Sequence, residues 1–539
     1  MARKGIAVRA LPSLSDFAFL VPAVLLFCVM AGTANMLADA DTGWHLRAGD
    51  WILDHHRFPT TDFFSFTKSG QPWFAWEWLW EVSFAWLHRY AGMAGVIFVS
   101  VLAVCLTSML LFRLVHRQAD NRLIAFAVTV LAVFGLSLHF LARPHLFSFL
   151  FAVILLDLLE RRHQTGRDVP WVAVPLIALW ANVHPAFAAG ILIIAAYTAG
   201  EFLSALTSSN PDQRTLSLTR FRRYLLLLAA CVAAPMANPY GYHLFVHMYS
   251  FLSDPYVIHH VAEYQVVDFR MPPGRAFELM LLLGAPAVLA QARKWQFVPL
   301  ILFAGWAHLA LTAQRNVPFF MMVAAAPVAV WLQEVLAVLA RPPLPDSIRN
   351  VAAGFQSFAG ESRADDQTPR LHLLSIAAMV LVFILLRSPG APPKFQPQYD
   401  PAAYPEGALA ALRQLGPSAR IFTTDVWGGY LIYRLYPDVR VFWDGRVDFY
   451  GTPYNQAAVD TAMGGPSWDK TLAEHRITAA LVPVNLPLNA LLAESGNWQV
   501  VYRDKTAVLF QACPPPSQTV NQRRTGLESS ARRSPHALP

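Results

Sequence analysis

Charged residues are scarce in this sequence. Asp, Glu, Lys and Arg make up 14% of the 539 residues, whereas hydrophobic residues make up 55% and the mean hydropathy is +0.37. A soluble globular protein carries about 25% charged residues. The deficit argues against a chain that is soluble throughout, and it predicts that much of the chain lies in lipid.

Cysteines and the common nucleotide-binding motifs are also scarce or absent. The four cysteines include no CxxC pair and no zinc-ligand spacing, which argues against a disulfide framework or a cysteine-based metal site. No P-loop, GxGxxG, GxSxG or HExxH motif is present, so ATP and nucleotide-sugar chemistry are disfavoured. The net charge is +7, but the basic residues cluster in short loops and form no aromatic-interleaved module. The sequence therefore predicts no nucleic-acid partner.

Long apolar runs are what the sequence has instead. About twenty apolar residues are needed to cross a bilayer. Runs of roughly that kind predict about eleven spans, near 17–36, 93–112, 123–141, 146–159, 171–183, 186–205, 224–237, 276–292, 296–312, 316–338 and 371–387. The first run is interpreted as an uncleaved membrane helix rather than a signal peptide.

Basic residues in alternate loops set the orientation. Cytoplasmic loops of membrane proteins carry an excess of Lys and Arg. Alternation from a cytoplasmic N-terminus places every basic loop inside: Lys4 and Arg9; Arg113, Arg117 and Arg122; Arg161, Arg162 and Arg167; Arg220, Arg222 and Arg223; Arg293 and Lys294; Arg341, Arg349, Arg363 and Arg370. The pattern predicts an integral protein of a bacterial-type inner (plasma) membrane with an extracytoplasmic C-terminal domain.

Composition divides the chain into three parts. Residues 1–388 are predicted to form the transmembrane domain, which includes a long first outer loop at 37–92. Residues 389–513 begin with a proline-rich linker and combine a helical stretch, EGALAALRQL, with strand-like runs ARIFTTD, VRVFWD, TAALVPV and TAVLFQ. That mixture predicts a small soluble α/β domain. Residues 514–539 are polar and rich in Pro, Ser and Arg, which predicts a disordered tail.

The first outer loop carries the clearest chemical pattern. Asp39 and Asp41 follow the first span directly, and the segment WHLRAGDWIL after them reads as an amphipathic helix at the membrane interface. A carboxylate at this boundary can act as a general base toward an acceptor hydroxyl. It can equally be a solvated loop acid or a helix cap. The local sequence leaves these readings open.

The order of features here resembles the GT-C superfamily of membrane glycosyltransferases. The matching features are a span, the acids Asp39 and Asp41, an interfacial helix containing His45, and an aromatic-rich segment that runs through Glu77 to the next span. The layout is similar to that of aminoarabinose and protein-mannosyl transferases. The resemblance implies a polyprenyl-phosphate-linked sugar donor and a catalytic acid after the first span. Family members often have adjacent acids, whereas here one residue separates them; Asp41 is favoured as the base.

Other polar residues fall at the predicted outer ends of spans, near the same leaflet as Asp41. Arg143 and Arg315 could clamp a lipid phosphate, because a guanidinium matches phosphate oxygens, or they could reach toward headgroups. His145 and His184 are candidate substrate-binding residues, as are Glu77 and His45; the alternative for a lone histidine is a hydrogen-bonded structural role. Further candidates are His139, Asn182, Asn238, Tyr240, Glu263, Asp268 and the sequence Asp444-Gly445-Arg446, which otherwise reads as a turn with a local ion pair.

Together these features predict a polytopic α-helical membrane protein of GT-C-like fold with a small C-terminal α/β extracytoplasmic domain. The predicted function is transfer of a sugar from a polyprenyl-phosphate donor to an acceptor hydroxyl of a glycan, lipid or protein, with inversion, at the outer face of the membrane. The alternatives are a non-enzymatic lipid-sugar flippase or transporter, an assembly partner of the cell envelope, and a polymerase or ligase that uses a pyrophosphate-linked glycan. No metal ligand set is predicted and no cofactor is required, although a divalent cation is left open.

Overall fold

The computed structural model describes residues 9–165, 169–361 and 370–513. The apolar runs form helices because a chain in lipid must satisfy its backbone hydrogen bonds internally. The helices of the first part are α1 (Leu14–Val24), α2 (Thr33–Met36), α3 (Asp41–His55), α4 (Trp78–Ala119), α5 (Arg122–Leu136), α6 (His145–Thr165), α7 (Ala173–Val183), α8 (Phe187–Thr207), α9 (Pro211–Ala233), α10 (His243–Ser253), α11 (Pro255–His260), α12 (Pro272–Ala292), α13 (Val298–Thr312), α14 (Val317–Leu339), α15 (Asp346–Glu361) and α16 (Leu373–Arg387).

Each predicted apolar run coincides with one or more of these helices, but not all are long enough to be counted as spans. Within the described ranges, five helical segments are long and apolar enough to cross a membrane: Trp78–Ala119, Arg122–His139, Phe187–Thr207, Pro272–Ala292 and Gln314–Leu339. Four shorter apolar helices accompany them. The protein is therefore a helical membrane protein, whereas the number eleven stays a prediction. Lys4, Arg167, Arg363 and the tail at 514–539 lie outside the described residues.

The first predicted run is interrupted at a glycine, and another glycine bends α4 just before the predicted run at 93–112. The first run breaks after a π-helical turn at Leu25–Val29, where Gly32 adopts φ +64° against the backbone of Lys394. Helix α4 is kinked at Gly92, where φ is +63°. Only glycine adopts such a backbone at little cost. The second break separates an N-terminal arm of α4 from the portion that crosses the membrane.

The interfacial helix predicted after the first span is present as α3. Its expected membrane anchors are placed differently, however. Leu46 is fully buried, and Trp44 and Ile52 are nearly so. These side chains pack inside the protein rather than against headgroups, because α3 is covered on one side by α4 and on the other by the C-terminal region. In the aromatic-rich segment that follows, Trp86 is exposed while Trp73 and Trp80 are buried.

The C-terminal region contains helices and a four-stranded sheet. Its helices are α17 (Leu409–Gln414), α18 (Asp425–Leu435), α19 (Val447–Tyr450), α20 (Thr452–Ala462), α21 (Trp468–Glu474) and α22 (Pro487–Glu494); its strands are β1 (Ile421–Phe422), β2 (Ala479–Pro483), β3 (Trp498–Arg503) and β4 (Ala507–Ala512). The strand order is β1-β2-β4-β3, with β1 and β2 parallel and the other pairs antiparallel. The predicted small sheet domain is present.

One predicted strand of that region is wrong. The run VRVFWD does not form a strand; Val441 makes only isolated bridges, to Ile421 and to Ser65 of the first outer loop. Val441, Phe442 and Trp443 are buried, which accounts for the apolar pattern of the run. An apolar pattern does not distinguish an extended segment of the core from a strand, so the prediction failed here. Its position matters for function, because it connects the C-terminal sheet to the first outer loop.

A buried ion-pair network joins the two parts of the chain. Arg446 Nε and Nη2 each donate to Asp444 at 2.7 Å, and Nη1 lies 2.8 Å from Asp62 Oδ1 in the first outer loop. All three side chains are almost fully buried. The guanidinium also lies 4.9 Å from the ring centroid of Trp73. Arg446 therefore fastens the C-terminal domain to the loop that carries Asp39 and Asp41.

Replacing Arg446 is expected to loosen that junction. Arg446→Met leaves two carboxylates buried without their cation, and breaking a buried pair in this way costs about 3–5 kcal/mol. We expect a lower melting temperature and faster proteolysis between the two parts. Arg413→Met, which removes an exposed arginine of the same domain, is the control and should melt like the wild type. Equal melting of both variants would show that the network does not stabilise the junction.

Candidate functional site

Asp39, Asp41 and Arg143 form one cluster at the start of α3. Arg143 Nη1 donates to Asp39 Oδ2 at 2.5 Å, and its Nη2 lies 3.0 Å from Asp41 Oδ2. Asp39 Oδ1 accepts the backbone N–H of Asp41 at 2.9 Å. Arg143 comes from the loop between α5 and α6, so its meeting with the acids depends on the fold. The two acids and one of the two predicted arginine clamps thus lie together.

Asp41 is enclosed rather than solvated. Its side chain is 16% exposed, and Oδ1 accepts the indole N–H of Trp44 at 2.9 Å. Burial and the neighbouring Asp39 carboxylate raise the pKa of Asp41 to about 7, against the lowering effects of Arg143 and of the Trp44 hydrogen bond. A general base works best when its pKa lies near the working pH. The surroundings of Asp41 suit that role better than the role of a solvated loop acid.

The C-terminal domain reaches this carboxylate through Gly445. A methyl group added at Gly445 would lie 2.1 Å from Asp41 Oδ1, which is far inside van der Waals contact. Tyr404 also reaches the cluster from this domain, donating its hydroxyl hydrogen to the Ala38 carbonyl at 2.9 Å. The sequence Asp444-Gly445-Arg446 is therefore more than a local turn, because it forms a wall of the site.

Adding one carbon to this wall is expected to displace the base. In Gly445→Ala the new methyl group must push Asp41 away from Trp44 and Arg143, so we expect about a hundredfold loss of turnover, in line with the cost of a 1 Å misplacement. Gly390→Ala, where a methyl group meets no neighbouring atom, is the control. Activity within twofold of wild type in Gly445→Ala, with a normal melting temperature, would refute the close approach.

Glu77 connects two histidines beside the cluster. Its carboxyl oxygens lie 3.2 Å from His45 Nε2 and 3.5 Å from His184 Nε2. Burial raises the pKa of Glu77 to about 8, and burial also lowers the pKa of His45 and of His184 well below their ordinary value. Near pH 7 these groups are therefore mostly neutral, and their contacts join uncharged side chains. His45 contacts Glu81 as well, at 3.0 Å.

Arg315, the second predicted arginine clamp, pairs with a different acid from Asp39 and Asp41. It pairs with Glu263 at 3.2 Å, and its guanidinium stacks 4.5 Å from the Tyr264 ring centroid. Although burial raises the pKa of Glu263, Arg315 and Arg143 together lower it to about 2. Both arginines also act to lower the pKa of Glu77, against the larger effect of burial that raises it. Arg315 thus contacts Glu263, and together with Arg143 it acts electrostatically on both Glu263 and Glu77.

The remaining predicted histidine, His145, begins α6 next to Arg143. Its Nε2 lies 2.7 Å from the His139 carbonyl oxygen, and its ring centroid is 6.3 Å from that of His184. His145 thus lies against His139 and near His184. Their roles in binding substrate stay a prediction.

The acid pair as arranged does not fit a divalent cation. The Arg143 guanidinium already lies between the two carboxylates and supplies their positive partner. Across residues 9–165, 169–361 and 370–513, no three His, Cys, Asp or Glu side chains are grouped to hold a metal ion. A cation could reach Asp39 and Asp41 only if Arg143 moved away, so no step below depends on one.

Sequence reasoning named Asp444-Gly445-Arg446 as a candidate but missed the residues that it contacts elsewhere in the chain. Gly445 against Asp41 and Asp62 with Arg446 join positions far apart in sequence, and no local pattern signals such pairs. The indole of Trp44 was expected at the membrane interface but instead donates to Asp41. The spacing of three residues between Asp41 and Trp44 on a helix could have suggested that contact.

The fold that places these residues together is similar to that of an archaeal oligosaccharyltransferase. Solved structures of the oligosaccharyltransferase of Archaeoglobus fulgidus share it. The structure tethered to an acceptor peptide containing the NVT sequon is 12% identical with a TM-score of 0.53, covering 87% of this chain and 68% of that one. The archaeal oligosaccharyltransferase AglB in complex with an inhibitory peptide and a dolichol-phosphate is 11% identical with a TM-score of 0.53, covering 87% and 69%.

A third structure of that oligosaccharyltransferase, in complex with Zn and sulfate, is 12% identical with a TM-score of 0.51, covering 87% of this chain and 68% of that one. No protein-family model and no curated protein matches the sequence. The similarity to these solved structures therefore concerns the fold.

Proposed function

We propose that this protein is an inverting membrane glycosyltransferase that uses a polyprenyl-phosphate-linked sugar. The observation that carries the proposal is the cluster in which Arg143 holds Asp39 and Asp41 at the start of α3. It combines an enclosed carboxylate whose pKa lies near neutrality with a guanidinium suited to phosphate. The GT-C fold, and the dolichol-phosphate and acceptor peptide bound by the fold's archaeal neighbour, support the same class of substrates.

The proposed step is a single displacement at C1 of the sugar. Asp41 accepts the proton of the acceptor hydroxyl while the acceptor oxygen bonds to C1 from the face opposite the phosphate. The bond between C1 and the phosphate oxygen breaks, and the polyprenyl phosphate leaves with its electron pair. Attack from the opposite face inverts the configuration at C1.

Arg143 has two roles in this proposal. Before the reaction it holds the acids in place; as the phosphate leaves, its guanidinium stabilises the developing negative charge. A hydrogen-bond donor positioned against negative charge that develops in the transition state raises the rate about a hundredfold or more. Arg315, held by Glu263, is the second candidate for contact with the phosphate. Glu77, His45, His145 and His184 are proposed to bind the sugar or the acceptor.

The proposed side of action is the outer face of the membrane. The distribution of Lys and Arg supports an N-terminus in the cytoplasm and a C-terminal domain outside, which places Asp41 at the outer surface. There the donor reaches the site from the outer leaflet, and a glycan, lipid or protein hydroxyl reaches it from the aqueous side. The pyrophosphate-linked donors of a polymerase or ligase are a variation on the same chemistry.

A donor panel tests the proposal. Purified protein is incubated with polyprenyl monophosphate sugars and pyrophosphate-linked glycans, together with sugar, lipid and peptide acceptors, and released polyprenyl phosphate is measured by mass spectrometry. We expect release from a monophosphate donor that depends on an acceptor. Movement of labelled donor between leaflets of a vesicle without release of the phosphate would instead establish a flippase.

A further inference from the structure

A cavity of about 480 Å³ lies at the opposite end of the helices that carry the candidate site. Helix α6 begins at His145 beside the site and reaches this cavity at Glu160. Helix α8 begins at Phe187, close to His184, and reaches the cavity at Glu201. At 1.5 Å per residue these paths are each about 22 Å long. The cavity therefore lies near the other face of the membrane.

One wall of the cavity is polar, because polar residues recur every three or four positions on the two helices that form it. Helix α9 contributes Gln213, Ser217 and Arg220, which are four and three residues apart and so share one helix face. Helix α8 contributes Tyr197 and Glu201, which are also four residues apart. These stripes on two neighbouring helices together form the polar wall, although both helices turn large apolar side chains outward.

The polar wall has hydrogen-bonding capacity left over. Glu201 Oε1 is 2.6 Å from His163 Nε2 but 3.6 Å from Arg220 Nη1, so Glu201 engages the histidine more closely than the guanidinium. The Ser217 hydroxyl is fully buried and has no hydrogen-bond partner among the described residues. A buried hydroxyl without a partner is costly, and a ligand oxygen at this place would satisfy it.

The facing wall is apolar. It is formed by Leu114 of α4, Leu302 of α13, and Met322, Val323 and Val330 of α14. Lys294, in the turn before α13, adds a second cation at the rim, where it pairs with Glu334 at 2.6 Å. The cavity is thus amphipathic: Arg220, the Ser217 hydroxyl and the carboxylates of Glu160 and Glu201 line one side, and hydrocarbon lines the other.

We propose that this cavity binds a phosphate-bearing membrane lipid, whose phosphate contacts Arg220 and Ser217 and whose hydrocarbon chain lies along the apolar wall. Arginine pairs with phosphate oxygens through two parallel hydrogen bonds, and the serine hydroxyl donates a third. A free phosphate could make the same polar contacts but would leave the apolar wall uncovered. The site is separate from the Asp41 cluster, and its existence does not depend on the proposed transfer reaction.

Binding of defined ligands to the purified full-length protein tests this proposal. Dissociation constants are measured for three probes: dioctanoyl phosphatidylglycerol, dioctanoylglycerol (the same chains without phosphate) and inorganic phosphate. We expect the phospholipid to bind about tenfold or more tightly than either of the others, since a bidentate hydrogen bond between arginine and phosphate in a dry site is worth about that factor.

Three variants locate the site. Ser217→Leu fills the cavity without changing charge, and Arg220→Gln removes the cation; each should weaken phospholipid binding about tenfold. Arg222→Gln removes an exposed arginine from the same helix and should bind like the wild type. Melting temperatures measured without lipid show which variants fold. Unchanged binding in folded Ser217→Leu or Arg220→Gln, or equally tight binding of inorganic phosphate or of dioctanoylglycerol, would overturn the proposal.

Discussion

Asp41→Asn is expected to lower the transfer rate by about 10³-fold, because a positioned general base contributes about 10² to 10⁴ in rate. Asparagine has nearly the same size and can still accept the Trp44 N–H, so the fold should be retained. It cannot take the proton of the acceptor hydroxyl. The rate is measured as polyprenyl phosphate released per enzyme with a saturating acceptor.

The wild-type pH profile should carry the same signature. Burial and Asp39 raise the pKa of Asp41 to about 7, and the base must be ionised to act. Activity is therefore expected to rise tenfold per pH unit below about pH 7 and to level off above it. The residual activity of Asp41→Asn should lack this acidic limb of the pH profile, that is, the rise in activity up to about pH 7.

Two variants separate Asp41 from other carboxylates. Asp39→Asn removes the negative charge that raises the pKa of Asp41, so the limb should move to lower pH while most of the activity remains. Asp438→Asn changes an exposed acid of the C-terminal domain and should leave both rate and profile unchanged. If Asp39→Asn loses as much activity as Asp41→Asn and the limb stays in Asp41→Asn, then Asp39 is the base.

Arg143→Gln is expected to have the second largest effect, a loss of about a hundredfold or more. The variant removes the guanidinium that we propose stabilises the leaving phosphate. It also leaves Asp39 and Asp41 without the cation that lowers the pKa of Asp41, so that pKa must rise further. The acidic limb of the pH profile should accordingly move to higher pH.

The direction of that pH shift distinguishes a functional from a merely structural role. A variant that only loosens the fold lowers the rate at every pH without moving the limb. Arg143→Lys keeps one positive charge but cannot hold both carboxylates, so it should restore the limb toward pH 7 and recover part of the rate. Arg57→Gln, an exposed arginine of the first outer loop, is the control. An unmoved limb in Arg143→Gln would contradict the pairing.

The local features of the fold and the site were predictable from the sequence. Apolar runs located the helices of the membrane domain, and the acids after the first run indicated the candidate site, because both signals lie within short stretches of chain. The sequence predicted only that Arg143 lies near the same leaflet as Asp41. In the structure Arg143 contacts Asp39 and Asp41 directly. The number of spans was less well determined, because several apolar helices are too short to qualify by length.

The parts that escaped prediction depend on contacts between distant segments. Gly445 approaches Asp41, and Arg446 pairs with Asp62, only because the C-terminal domain packs on α3. That packing is visible at Arg47, whose Nε donates to the Tyr433 carbonyl of α18 at 2.9 Å. Hydrophobic periodicity indicates that a segment is buried but not which segment covers it. The run VRVFWD was therefore predicted to be a strand, although it is an extended segment whose Val441 contacts both the C-terminal sheet and the first outer loop.

The decisive experiment for Asp41 as the base of a lipid-linked sugar transfer compares polyprenyl phosphate release by the wild type and by Asp41→Asn, side by side, from a polyprenyl-monophosphate sugar. We expect acceptor-dependent release by the wild type and about a thousandfold less by the variant at pH 7, with equal melting temperatures. Equal release by the two proteins would contradict the assignment of Asp41, and no release by either, with every donor and acceptor class supplied, would contradict the assignment of the activity.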